Sequence, residues 1–189
     1  MTKLQYPFTE DKVRALKAGE AVEISGLVYT GRDKLHKYFA DGGVLPVDFR
    51  DGALYHCGPV MLAQGGTWRV MAAGPTTSVR ENPYEPAFIE RTGVRLIIGK
   101  GGMDARTLDA CAKYGAVYLQ AVCGAAAVTA HAIKRVPNVY FLDEFGAAEA
   151  CWEFEVEDFR CVVAMDSHGT SLFAQVEADS RRRFESLIK

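Results

Sequence analysis

The sequence lacks any run of about eighteen apolar residues, the length a membrane-spanning helix needs, and its opening stretch Met1 to Glu10 is polar. No membrane span or secretory signal is therefore expected, and the expected location is cytoplasmic. It also lacks an excess of either charge: 22 Lys+Arg stand against 24 Asp+Glu, a formal net charge of -2. Such a balance gives no global field to gather nucleic acid or an anionic membrane, so any basic chemistry must be local. Cysteine is sparse and unpatterned. Cys57, Cys111, Cys123, Cys151 and Cys161 are odd in number, widely spaced and without C-x-x-C, which argues against a disulfide framework and against a self-contained zinc or iron–sulfur site. Reduced thiols are expected, several of them as small core residues. The four histidines (His36, His56, His131, His168) show neither H-x-x-x-H nor H-E-x-x-H, so each is expected as a singly satisfied side chain and no metal site is assigned to this chain.

What is present is ordinary globular material, 49% hydrophobic and 24% charged over 189 residues. That length supports one substantial core, and 1–189 is read as a single domain. Residues 3–19 are expected to form a short superficial helix. The strand Ala21–Gly31 then runs into Arg32-Asp33 and a helical pattern. Ala53–Met61 and Thr67–Arg80 flank Ala63-Gln64-Gly65-Gly66, which predicts an antiparallel pair. A short helix follows Pro83 and Pro86. Strand, glycine turn and helix recur at VRLIIGKGG with MDARTLDACAKYG, and at GAVYLQAVCG with AAAVTAHAIKR. Three more β-rich runs (VPNVYFLDEFG, CWEFEVED, CVVAMDSHG) and a polar tail complete a mixed α/β chain with parallel and antiparallel strands. Arg181-Arg182-Arg183 reads as the solvated face of a terminal helix.

Three strand-ending turns place a cation or hydroxyls just after glycine: Gly31-Arg32, Gly74-Pro75-Thr76-Thr77-Ser78-Val79-Arg80 and Gly99-Lys100-Gly101-Gly102. Ligands collect at such strand ends because free backbone N–H groups concentrate there and favour anions. Two arginines and a lysine suit a dicarboxylate, since guanidinium grips carboxylate bidentately and ammonium adds a point charge. Neither G-x-x-x-x-G-K-[ST] nor G-x-G-x-x-G is satisfied around Lys100, which disfavours nucleotide. His168, in Asp166-Ser167-His168-Gly169, is explained equally well by a capped turn.

The segments YTGRDKLHKYF, LYHCGPVM, AAGPTTSVRENPYEPAFIERTG, IIGKGGM, GAVYLQAVCGAAA and EACWEFEVEDFRCVVAMDSHG together resemble the β subunit, or C-terminal domain, of class I iron–sulfur fumarate hydratases and of the similar L(+)-tartrate dehydratases. The resemblance runs from about Ala21 to Val176 and is carried most specifically by G-P-T-T-S-x-R followed by G-K-G-G-M. It implies a swivelling β/β/α fold and a hydro-lyase, most closely a fumarate hydratase that interconverts fumarate and (S)-malate. It also implies a separate α subunit whose three cysteines hold a 4Fe-4S cluster, in an α2β2 assembly. Arg32, Arg80 and Lys100 would hold substrate carboxylates, Thr76 would be the base, and Gly74 and Gly99 would keep backbone close to substrate. The cations are expected unpaired and wet in the isolated chain, which is expected to self-associate as a homodimer. Glu81 stands where many relatives have methionine, and Gly146-Ala147-Ala148-Glu149-Ala150 replaces a G-M-P-E-A pattern. Tartrate dehydratase or mesaconate hydratase, and a non-catalytic dicarboxylate-binding module, are the alternatives.

Overall fold

A computed structural model describes residues 1–188. The chain opens with β1 (Thr2–Gln5) and a short helix α1 (Glu10–Arg14). The helix expected over 3–19 is thus mostly replaced: Leu4 is buried, β1 pairs in parallel with the next strand, and Pro7 removes an N–H that a longer helix would need. Nor is the segment superficial, since Val13 and Leu16 are core residues. Next come β2 (Ala21–Thr30), α2 (Asp33–Ala40), β3 (Ala53–Tyr55), β4 (Val60–Gln64) and β5 (Thr67–Ala72). A 3-10 turn (Ser78–Glu81) leads into α3 (Glu85–Thr92), β6 (Leu96–Gly99), α4 (Ala105–Tyr114), β7 (Val117–Ala121) and α5 (Ala126–Ala132). β8 (Ile133–Tyr140), α6 (Leu142–Phe145), β9 (Cys151–Met165) and α7 (Leu172–Leu187) finish the chain.

The main sheet is mixed, as expected. β2, β3, β6 and β7 are parallel neighbours, and β9 runs antiparallel to β7, β8 and β2. Because β9 bonds both β7 and β2, the pairings β2-β3-β6-β7-β9 close on themselves and leave no free edge among them. Closure asks β2 to bend. It does so at a register shift beside Gly26, whose φ is +122° and where a Cβ would lie 2.3 Å from that of Tyr6.

Side chains alternate across this ring. Leu96 and Ile98 belong to the inner cluster with Val22, Ile24, Val28, Val117, Leu119, Phe154 and Phe159. Ile97, Leu54 and Tyr118 face outward, where Leu35 and Phe39 of α2, Phe88 and Ile89 of α3 and Cys111 of α4 cover them. Both faces are therefore dry, which is why VRLIIG reads as a continuous apolar run rather than an alternating one. α4 is well started: Asp104 accepts from the Thr107 N–H at 3.0 Å.

Two further expectations shift. Only Val60–Gln64 and Thr67–Ala72 form the hairpin about Gly65-Gly66, while Ala53–Tyr55 joins the main sheet in parallel between β2 and β6. Pro59 separates the two roles. The runs CWEFEVED and CVVAM are one fifteen-residue strand, β9, with Asp158 in the left-handed region (φ +52°) as an internal irregularity rather than a break. Among the described residues no helix is long and apolar enough to cross a membrane. All five cysteines are free, and four are buried.

Candidate functional site

Three chain segments meet at the ends of the parallel strands. Arg32 caps the start of α2 after β2; Thr76 to Arg80 lie in and before the 3-10 turn; Lys100 follows β6. Thr77 bridges Lys100 in parallel fashion, and the Ser78 N–H donates to the Lys100 carbonyl at 3.0 Å. Arg80 Nη2 donates to Thr76 Oγ1 at 3.0 Å and pairs with Asp33 Oδ2 at 3.0 Å. Arg32 Nη2 lies 4.0 Å from the same Asp33 oxygen, so one carboxylate sits between the two guanidinium groups. Arg32, Arg80 and Thr76 are thus brought together, with the Lys100 backbone beside them.

The cations are less free than expected. Arg32 pairs with Glu149 at 3.2 Å and donates to the Ala148 carbonyl at 3.2 Å, while Arg80 holds Asp33. Glu149 is the glutamate that Gly146–Ala150 shares with the G-M-P-E-A pattern, and of the two departing positions only Ala148 meets the site, through its backbone carbonyl. Arg32 Nε is buried without a partner, and Gly58 packs so close that a Cβ there would be 2.3 Å from Nη1. Lys100 makes no ion pair among the described residues. Asp33, half-exposed between the two guanidinium groups, can give way to an incoming dianion at small cost because such surface pairs are individually worth little, whereas the largely buried Glu149 stays with Arg32.

Gly99 makes room for groups behind the rim, whereas Gly74 packs against α5. At Gly99 a Cβ would fall 1.9 Å from Ser78 Oγ, 3.1 Å from Tyr118 Oη and 3.2 Å from His56 Nδ1; at Gly74 it would be 3.1 Å from the Ala126 Cβ. Gly99 thus makes room for a buried polar cluster that spacing alone did not reveal. Glu85 Oε2 lies 3.1 Å from His36 Nε2 and 3.1 Å from His56 Nε2, and all three residues are fully buried. His36 Nδ1 bonds the Arg32 carbonyl at 2.9 Å, and His56 Nδ1 meets Ser78 Oγ at 2.9 Å, to which Tyr118 Oη donates at 3.0 Å. The expectation of isolated histidines fails for this pair. The signal was available only as three unrelated polar residues in apolar surroundings.

Burial by itself would lower the His36 pKa, but the Glu85 charge and hydrogen bond, with Glu81 beyond, outweigh it and raise the value to about 9. Burial would likewise raise Glu85, and the charge of His36 together with hydrogen bonds from both imidazoles brings it down to about 2. The two shifts agree on a charged His36–Glu85 pair. His56, penalised by burial, is held below its ordinary value. Glu81, also buried, is raised to about 7 by burial; its Oε2 lies 3.4 Å from His36 Nδ1, and neither of its oxygens is hydrogen-bonded.

His36, His56 and Glu85 offer ligand atoms within 4.8 Å of one another, near enough for a cation to be considered. Their hydrogen bonds already use all four ring nitrogens, as an ion pair with a neutral imidazole, while Glu85 Oε1 is buried without a partner. The cysteines do not fit a cluster: Cys57, Cys111, Cys151 and Cys161 are buried with thiol pKa values pushed up by desolvation, and Cys123 alone is exposed. His168 has a structural place, its N–H donating to Asp166 at 2.9 Å and its Nε2 meeting the Arg14 carbonyl at 2.8 Å.

A closed mixed sheet with a cationic rim at its strand ends defines an α/β domain whose rim is chemically suited to an anion. The family model described as Fumarase C-terminus matches residues 1–176, and the chain belongs to that family. It is 50% identical to a protein of Geobacillus stearothermophilus provisionally named a class I fumarate hydratase, over 94% of this chain and 34% of that relative. It is 42% identical to a protein of Methanocaldococcus jannaschii provisionally named an L(+)-tartrate dehydratase β subunit, over 98% and 99% of the two chains. The L(+)-tartrate dehydratase β subunit of Escherichia coli K12 is 32% identical over 91% of this chain and 86% of its own. The chain thus spans about a third of the fumarate hydratase relative (34%) and nearly the whole of the β subunits.

Proposed function

We propose that this chain is the β-type half of a hydro-lyase acting on a C4 dicarboxylate, most closely fumarate, which it hydrates reversibly to (S)-malate. The observation that carries this reading is the Arg80 guanidinium bonded at once to Thr76 Oγ1 and to an exchangeable carboxylate shared with Arg32. A substrate carboxylate displacing Asp33 would lie between Arg32 and Arg80, with Lys100 for the second carboxylate. Thr76 Oγ1 would face the carbon next to it. Thr76, its hydroxyl proton passed to a residue of the partner subunit and its oxyanion favoured by the Arg80 guanidinium, would take the proton from the malate C–H (and return it in hydration), while the fixed cations stabilise the developing enediolate without reorganising. The group on which water chemistry would rest is assigned to a partner α subunit carrying the 4Fe-4S cluster, because this chain's cysteines cannot supply one. Names among the relatives support both fumarate and tartrate. The Geobacillus protein's greater identity favours the former.

The test is anaerobic co-expression with a cluster-bearing α subunit and a fumarate-to-malate absorbance assay, with L-tartrate as the competing substrate. Arg80→Ala and Lys100→Ala are each expected to lower turnover by roughly a hundredfold or more without unfolding the chain. Near-normal rates in both variants refute the assignment, and turnover of tartrate alone moves it to the alternative substrate.

A further inference from the structure

The two arginine turns leave different strands, and at the surface only a half-exposed carboxylate, Asp33, joins them. Exposed pairs of this kind are too weak to fix a separation. The buried cluster behind them joins the same two turns through bonds sheltered from water. On one side, the Arg32 carbonyl, at the start of α2, accepts from His36. On the other, the Thr76 N–H donates to the His56 carbonyl at 2.7 Å, while the His56 ring holds Ser78, within the turn that ends in Arg80. Both rings converge on one oxygen, Glu85 Oε2. The donor count closes: His36 donates from both nitrogens, to Glu85 and to Arg32, and His56 donates from Nε2 and accepts the Ser78 hydroxyl at Nδ1, which leaves the Ser78 oxygen free for the Tyr118 hydroxyl. Phe173, at the head of α7, packs edge-on to Tyr118 with ring centroids 6.3 Å apart and closes this cluster from outside.

We propose that Glu85, acting through His36 and His56, is a positioning residue that sets the separation of the Arg32 turn from the Thr76–Arg80 turn. The catalytic consequence rests on the hydro-lyase reading above; the geometric claim does not. Glu85 touches no substrate. A displacement of about an ångström between carboxylate-binding groups and base is enough to cost on the order of a hundredfold in rate, which makes such a rear anchor a determinant of kcat.

The experiment uses the full chain with ¹⁵N-labelled histidine and backbone. In the wild type, slowly exchanging Nε2–H signals are expected from both His36 and His56. In Glu85→Gln at least one of them is lost, and the backbone amides of both Arg32 and Thr76 shift. In Ser78→Ala, the second variant should the first fail to fold, the His36 signal stays, the His56 ring signal moves and Thr76 shifts without Arg32. Unmoved amides in a folded Glu85→Gln chain overturn the proposal, and so does a Zn²⁺ titration that perturbs both rings together, which would make the trio a metal centre. In the assembled enzyme Glu85→Gln is expected to lower kcat by roughly tenfold or more with KM changed far less. An inactive wild-type pair would condemn the hydro-lyase reading while leaving the spectra to judge the anchor; an active pair with unchanged kcat in Glu85→Gln overturns the anchor alone.

Discussion

The front and back of the same two turns are built on opposite principles. In front, Arg32, Arg80 and Lys100 are partly exposed, and the carboxylate between the two arginines, Asp33, is half-exposed and replaceable. Behind, Glu85, His36, His56 and Ser78 are fully buried, and every ring nitrogen is bonded. The front binds and the back holds. Water makes the difference: in the interior a broken charged hydrogen bond is not replaced by solvent, so geometry there is enforced, whereas at the rim it is only biased.

The contrast can be broken from either side, and the back should respond more. His36 keeps its proton in the folded chain up to about pH 9, while an unperturbed histidine releases it near 6.5. Folding therefore retains a proton across that interval. The contribution is complete below pH 6.5 and lost as pH climbs through 9, on the order of 3 kcal/mol for this one group. Denaturant melts taken through the window should show the decline; constant stability would mean that His36 is neutral and the rear pair absent. Gly99→Ala comes next, because a methyl there collides with Ser78 Oγ: a loss of roughly 2 kcal/mol is expected by thermal unfolding, and an unchanged midpoint would show the cluster to be loose. Arg80→Ala should be the smallest, less than about 1 kcal/mol, since its pairs lie at the surface. A larger destabilisation would make the rim structural and erase the distinction.

The front was legible in the sequence because its signal is local: a glycine ends a strand and a cation or hydroxyl follows within a few residues, three times over. The back was not, because Glu85, His36, His56 and Tyr118 come from four separate chain segments, and none has a polar neighbour in sequence that declares its partner. The same reasoning sorts the fold. Strand–turn–helix units around β6 and β7 were readable from apolar runs ending in glycine. The N-terminal strand, held by pairing with β2 rather than by its own pattern, was not, and β9 was divided in two because Glu157 and Asp158 imitate a turn. Arg32 was expected to be free, and its strongest partners, Glu149 and the Ala148 carbonyl, come from over a hundred residues away along the chain.

By itself the amino-acid order determined the alternation of strands and helices, the positions of the anion-seeking turns and the absence of cysteine spacing for a cluster, all consequences of short-range backbone preference and side-chain chemistry. Tertiary structure alone decided that the ring of strands closes, that Asp33 lies between two guanidinium groups, and that one buried carboxylate receives two imidazoles. Those are distances between residues remote in sequence, set by how the sheet twists and packs, and no local pattern encodes them.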